Sequence, residues 1–186
     1  MSASYHFLLE STKFGTVVVV WQKWDGKTRI IRVFLAENKE KTEEMIYNNY
    51  LNAFPSSNTL ILEQTQKIQN FLSGQQVDFD LNLLAFEICT PFQKRVLLAE
   101  KEIPRGHVST YSRIAKYIGV EYGARAVGNA LACNPFPIII PCHRAIRSDL
   151  TLGGYQGGTS MKQALLEFEG IRISETGKVY KAKYYY

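Results

Sequence analysis

The run Asn134-Pro-Phe-Pro-Ile-Ile-Ile-Pro-Cys-His-Arg144 constrains this chain more than any other stretch. Three isoleucines and three prolines hold it stiff, because each proline fixes its own φ and restricts the residue before it. The stiff apolar segment delivers Pro141-Cys142-His143-Arg144, a thiol beside an imidazole. The thiolate is the nucleophilic form, and a nearby His helps to generate it. Taken alone, such a pair reads as a buried structural Cys beside a surface His. The neighbourhood changes that balance.

The chain has 186 residues and is 46% hydrophobic, enough for a packed core in one domain or two small ones. Three cysteines with no C-x-x-C argue against a disulfide framework and for a reducing compartment. Val17 to Trp21 is too short an apolar run to span a bilayer, and no signal peptide opens the chain. The net charge of +5 is uneven. Residues 1–90 hold 8 Lys/Arg against 10 Asp/Glu, a net of −2, whereas residues 91–186 hold 14 against 7, a net of +7. A basic second half suits a polyanionic partner.

Residues 5–10, 16–22 and 28–36 read as strands, with Asp25-Gly26 as a hairpin turn. Lys39 to Tyr50 reads as a polar helix. Leu60 to Leu72 reads as a second helix with a stripe of Ile61, Ile68, Phe71 and Leu72. Val77 to Leu83 alternates like a strand. The expected architecture is α+β. A small N-terminal sheet-plus-helix domain (1–86), structural or regulatory, precedes a mostly helical C-terminal domain (87–186).

In the second half, Thr90 caps a helix that begins at Pro91, with Gln93 completing a capping box. Ser109 to Gly119 and Ala124 to Leu131 read as two short helices around a glycine-containing turn, the form of a helix-turn-helix. Arg125 stands near the start of the second, where recognition helices meet DNA. Leu152 to Gly158 is glycine-rich but lacks the Gly-Lys-Ser/Thr ending of a phosphate-binding loop. Thr159 or Ser160 then caps a helix running to Glu169. The tail to Tyr186 reads as a loosely held arm.

Several pieces together resemble the O6-alkylguanine-DNA alkyltransferase (methylated-DNA–protein-cysteine methyltransferase) family. They are Pro91-Phe92-Gln93, Tyr111 within Val108 to Ala115, Arg125-Ala-Val-Gly128, Asn134-Pro, Pro141-Cys-His-Arg144, Gly154-Tyr155, and Leu165-Leu166 with Glu169-Gly170. The resemblance covers Thr90 to Ile171.

The resemblance implies direct-reversal DNA repair without a cofactor or metal. Cys142 takes an alkyl group from guanine O6, permanently, so each molecule acts once. His143 acts as base through a water, Glu169 orients it, and Asn134 braces the turn around Cys142. Tyr111 serves the leaving base. Backbone carbonyls of Cys142 and Ala145 read its exocyclic amine, a backbone N–H near Gln156 meets O6, and Tyr155 forms a wall.

The target nucleotide must leave the stack to react. Arg125 then fills its place from a helix in the minor groove, which implies little sequence specificity. Gln93, Ser112 and Ser148 match phosphate contacts. The implied partner is double-stranded DNA bearing O6-alkylguanine, with O4-alkylthymine as a second substrate. The protein is expected as a monomer off the membrane, in the cytoplasm with the nucleoid, or in a nucleus.

Gln156 and Asn129 stand where some relatives carry Ser and Gly. The structural zinc cysteines of some relatives have no counterpart before Cys89. Three other readings remain: a lesion-binding protein without transfer, a helix-turn-helix regulator sensing through Cys142, and a Cys-His hydrolase. The regulator predicts strong sequence specificity, and the hydrolase predicts multiple turnovers.

Overall fold

The computed structural model describes residues 4–36 and 39–186. The chain divides into two units, Met1–Ile88 with Pro135–Pro137, and Cys89–Asn134 with Ile138–Tyr186.

The first unit is built on a four-stranded sheet. Its strands are β1 (His6–Thr12), β2 (Gly15–Trp24), β3 (Lys27–Ala36) and, after helix α1 (Lys39–Asn49), the short β4 (Phe54–Pro55). Their order is β3-β2-β1-β4, antiparallel except for β1 with β4. Asp25 and Gly26 both have positive φ, 47° and 74°, as a two-residue hairpin with the right-handed twist of its strands requires. Val17 to Val20 are all buried, so central strand β2 is covered on both faces. Phe7, Val18, Val20, Phe34 and Ile46 form one core cluster.

Helix α2 (Thr59–Leu72) is capped by Asn58, whose side chain accepts from the Ile61 N–H, and it buries Ile61, Ile68, Phe71 and Leu72. Residues Pro135–Pro137 of the stiff run join this unit, and the Pro135 carbonyl accepts from Val33 N–H at 2.8 Å.

The strand expected over Val77 to Leu83 is absent. The Asp80 side chain takes the Asn82 N–H at 2.9 Å and turns the chain into a 3-10 turn, Leu81–Leu83. A local side-chain bond of this kind competes with the strand ladder.

The second unit begins with α3 (Pro91–Glu102), whose N-cap Thr90 accepts from Gln93 N–H. The Thr90 half of the capping box is made, and the Gln93 amide N–H groups donate to the Ala130 and Cys133 carbonyls. Strand β5 (His107–Thr110) leads directly into α4 (Tyr111–Tyr117), so the expected helix starts two residues late. The Thr110 side chain caps it. Helix α5 (Ala124–Ala132) follows the turn and packs against α3 and α4. An added Cβ on Gly123 would stand 2.6 Å from Val120 Cγ1, which explains a glycine in the tight turn.

Beyond the Cys142–Arg144 turn come β6 (Ala145–Ile146), α6 (Gly158–Phe168), the β7 (Arg172–Ile173) and β8 (Val179–Tyr180) pair, and β9 (Lys183–Tyr184). Strands β6 and β9 flank β5, both parallel to it. Two expectations change here. Helix α6 is entered through Gly157 with no side-chain cap, rather than through Thr159 or Ser160. The tail is not a loose arm: β9 completes a sheet, and the Tyr186 hydroxyl donates to the Ala99 carbonyl at 2.8 Å and to Glu102 at 2.9 Å.

Candidate active site

The stiff run carries stored strain into the site. Ile138, a β-branched residue, has φ of 72° and is 1% exposed. Such a conformation costs on the order of 1–3 kcal/mol and persists only where the surroundings over-determine it. Cys142–Arg144 then forms a 3-10 turn, with Cys142 N–H bonded to the Ile140 carbonyl and Arg144 N–H to that of Pro141, both at 2.8 Å. Asn134 ties the two ends of the run together. Its Nδ2 donates to the Ile140 carbonyl and to Cys142 Sγ, each at 3.1 Å.

Burial pushes the Cys142 thiol up to about 12, although the Asn134 amide favours the thiolate. The resting group is therefore a neutral thiol. Burial also lowers the His143 pKa, against the opposing pull of Glu169, so the imidazole is neutral and able to accept a proton.

Glu169 closes the group from the C-cap of α6. Its Oε1 lies 3.0 Å from His143 Nε2, and Arg144 grips both oxygens, through Nε at 2.8 Å and Nη2 at 2.7 Å. Burial alone would raise this carboxyl. The His143 and Arg144 contacts outweigh it and hold the pKa at about 2. A permanent anion thus stands behind the imidazole, as a base that becomes charged requires.

A cleft of about 610 Å³ opens on the sulfur, lined by Tyr111, Ser112, Arg125, Asn129, Cys142, Ser148, Gly154 and Tyr155 among others. Tyr111 stays protonated, pushed up to about 12 chiefly by burial. Gly153 has φ of +74°, and a Cβ there would stand 2.6 Å from the Tyr111 hydroxyl. A glycine is therefore required for the loop to approach this ring. The Tyr155 hydroxyl is buried with no hydrogen-bond partner among the described residues, and its ring meets His143 edge-on at 6.3 Å.

Most of the residues singled out in the sequence thus converge. Cys142 bonds to Asn134 and His143 bonds to Glu169, two pairs joined by the Cys142–His143 peptide, while Tyr111, Tyr155, Arg125, Ser112 and Ser148 line the cleft. Arg125 is exposed on α5, and the hydroxyls of Ser112 and Ser148 lie 3.1 Å apart. Gln93 is not among the residues lining the cleft, and its amide donates to the Ala130 and Cys133 carbonyls. The Ala145 carbonyl already accepts from Lys162 Nζ at 2.6 Å. Gln156 is half-buried, with Oε1 unpartnered among the described residues.

Three buried charged residues had been given no role: Arg144, Lys162 and Glu100. Spacing does carry a signal for two of them. Lys162 stands three and four residues before Leu165 and Leu166, and Glu100 three and four after Leu97 and Val96, on the buried helix faces. Among the described residues no cluster of His, Cys, Asp and Glu could hold a metal ion, and no helix is long and apolar enough to cross a membrane.

Residues 91–171 match the family described as "6-O-methylguanine DNA methyltransferase, DNA binding domain". The methylated-DNA–protein-cysteine methyltransferase of Methanothermobacter thermautotrophicus is 44% identical over 83% of this chain and 80% of its own length. The chain belongs to the methylated-DNA–protein-cysteine methyltransferase family. The likeness reaches beyond the segment that carried the motifs. The constitutive methyltransferase of Bacillus subtilis is 32% identical over 91% of this chain and 98% of its own.

Solved methyltransferase structures share the fold. The Mycobacterium tuberculosis O6-methylguanine methyltransferase superposes with a TM-score of 0.70 at 29% identity, covering 89% of this chain and 92% of that one. The OGT of the same organism, solved in complex with DNA, gives 0.67 at 30% identity, covering 89% and 93%.

Proposed function

We propose that Cys142 accepts the alkyl group of O6-alkylguanine in double-stranded DNA, once per molecule. As a member of its family the chain is a DNA-repair methyltransferase that works by direct reversal. The observation that carries the assignment of Cys142 is its setting. A buried thiol held by Asn134 lines the cleft, and next to it in the chain stands a neutral imidazole backed by a fixed carboxylate.

The chemistry balances without a cofactor. The sulfur–carbon bond forms in line as the carbon–O6 bond breaks. The thiol proton passes to His143, through a water in the family's arrangement. Glu169 and the imidazolium then form a charge-assisted pair. The departing guanine takes a proton from the Tyr111 hydroxyl at a ring nitrogen. Tyr111 regains its proton from solvent and the imidazolium gives its proton up to solvent, so in net terms one proton moves from the thiol to the guanine, leaving an S-alkylcysteine and an unmodified guanine.

Arg125 stands on the cleft rim, on the helix proposed to enter the minor groove, and fills the space of the flipped nucleotide. Ser112 and Ser148 are proposed to contact phosphate. Gln93 reaches phosphate only if its amide leaves the Ala130 and Cys133 carbonyls. Tyr155, the Ala145 carbonyl and the backbone near Gln156 frame the base, and O4-alkylthymine is a second candidate substrate. The net +7 of residues 91–186 suits phosphate binding. The protein is proposed to act as a monomer, in whichever compartment holds the DNA, with the first unit in a structural or regulatory role.

The test is intact-mass measurement after mixing with a duplex containing O6-methylguanine. The expected result is a gain of one methyl that maps to the Cys142 peptide. Lesion-selective binding with no mass gain would overturn the assignment.

A further inference from the structure

Strands β5 and β6 run parallel, with Thr110 opposite Ile146. The residues that follow them, Tyr111-Ser112 and Arg147-Ser148, therefore leave the sheet side by side. The Ser112 and Ser148 hydroxyls meet there, 3.1 Å apart. All four residues line the cleft that opens on Cys142. Arg147 is exposed on its rim, and no step of the transfer uses it.

The turn that carries Arg147 is fixed by its own bonds. The Arg147 N–H donates to the Thr151 carbonyl at 2.9 Å, and the Leu150 N–H donates to the Arg147 carbonyl at 3.0 Å. Asp149 is the one acidic side chain in the turn, and it accepts from the Thr151 N–H at 3.0 Å and from the Thr151 hydroxyl at 2.7 Å. Its carboxylate is thus engaged within the turn. Other arginines of this unit serve the protein itself. Arg144 grips Glu169, while Arg95, Arg105 and Arg113 donate to the Ile118, Phe168 and Tyr186 carbonyls. Arg125 and Arg147 are the arginines that line the cleft, and they reach it from different elements. Two hydroxyls bonded to each other keep one O–H to give, and a guanidinium beside them offers a fork of donors that matches phosphate.

We propose that Arg147 holds the phosphate of the flipped nucleotide, with the Ser112–Ser148 hydroxyl pair as a second support. The proposal rests on the reading that a nucleotide enters the cleft to react at Cys142, and it adds a phosphate ligand that the reading does not contain. A base that reaches the buried sulfur draws its own sugar and phosphate to the cleft mouth, where Arg147 and the two hydroxyls stand. The two arginines then divide the work. Arg125 takes the vacated space in the stack, and Arg147 keeps the nucleotide from swinging back. A phosphate contact fixes position without reading sequence, which suits a lesion that arises in any sequence.

The experiment pairs a charge removed from the protein with a charge removed from the DNA. Second-order rates of methyl transfer are measured on duplexes carrying O6-methylguanine. The duplexes have either native phosphates or a single neutral methylphosphonate, moved position by position around the lesion. Wild type, Arg147→Gln and Arg147→Lys are compared. The expected result is one methylphosphonate position that slows wild type by about tenfold or more, the scale of a hydrogen bond to a charged group. Arg147→Gln should slow transfer from the native duplex by a similar factor, and that same methylphosphonate should cost it little more. Arg147→Lys keeps the charge but not the fork and should fall between the two. On undamaged duplex, where no transfer occurs, the slope of log affinity against log salt should fall by about one in Arg147→Gln.

Methylphosphonate losses of the same size in wild type and Arg147→Gln at every position would overturn the proposal. So would an unchanged salt slope. Wild type reacted with a free O6-alkylguanine base, followed by peptide mapping, reports separately whether Cys142 is the acceptor. Failure of that assignment is therefore distinguished from failure of the phosphate contact.

Discussion

The Asn134 side-chain amide donates to the Cys142 sulfur across 3.1 Å. A buried sulfur gains its negative charge only if something polar faces it, and this amide is one fixed dipole that does so. Asn134→Ala should lower the single-turnover rate by about 10- to 100-fold, the scale of one hydrogen bond to a charged group. The thiol pKa should rise further, read from the pH dependence of its reaction with a small alkylating agent. Unchanged thiol reactivity would mean that Asn134 only shapes the turn.

Glu169 links catalysis to acid stability. Its side chain is 1% exposed, and it ionises at about 2 in the folded protein against an ordinary 4.5. A depressed carboxyl pKa stabilises the fold above the unfolded value, and that stability is lost as pH falls from about 4.5 towards 2. The amount is about 3 kcal/mol. Glu169→Gln should remove this acid dependence from the unfolding free energy, and should itself cost about 3–5 kcal/mol by leaving Arg144 uncompensated. Transfer should fall by about 100-fold or more. Chemical denaturation across pH and single-turnover rates measure both.

Gly153→Ala places a methyl against the Tyr111 hydroxyl at a position with φ of +74°. The variant should lose about 1 kcal/mol or more of stability, along with much of its transfer rate. Adding Tyr111→Phe removes the clashing oxygen and should recover part of the stability but none of the rate. Thermal melts beside rate measurements separate the two effects.

Arg125 is exposed on the cleft rim. Arg125→Ala should slow repair of a duplex lesion by at least about tenfold while leaving reaction with a free O6-alkylguanine base much less affected. Equal losses on both substrates would remove Arg125 from the flipping step.

Much of this was legible in the sequence because local signals and tertiary packing agreed. Asp25-Gly26 needed two positive φ values, and Val17 to Val20 needed a strand covered on both sides. Pro141-Cys142-His143-Arg144 and Glu169 mattered as a spaced set rather than singly, and folding brings His143 and Arg144 within hydrogen-bonding distance of Glu169.

The misreadings have a common physical origin in partners remote in sequence, or in local side-chain bonds. Asp80 turned an alternating segment into a 3-10 turn. The tail looked loose because what holds it, β5 and the Ala99 carbonyl, lies some 75 residues or more away. Lys162 and Glu100 sit on apolar faces by spacing, yet a charge on a helix is ordinarily solvated, so their burial emerged only with the packed structure.

The most direct test of the central claim is a titration of the protein with excess duplex carrying radiolabelled O6-methylguanine, followed by digestion and mapping. The account predicts transfer that saturates at one methyl per protein, all of it on Cys142, and none in Cys142→Ala. Continued release of repaired guanine beyond one equivalent, or label on a different residue, would contradict it.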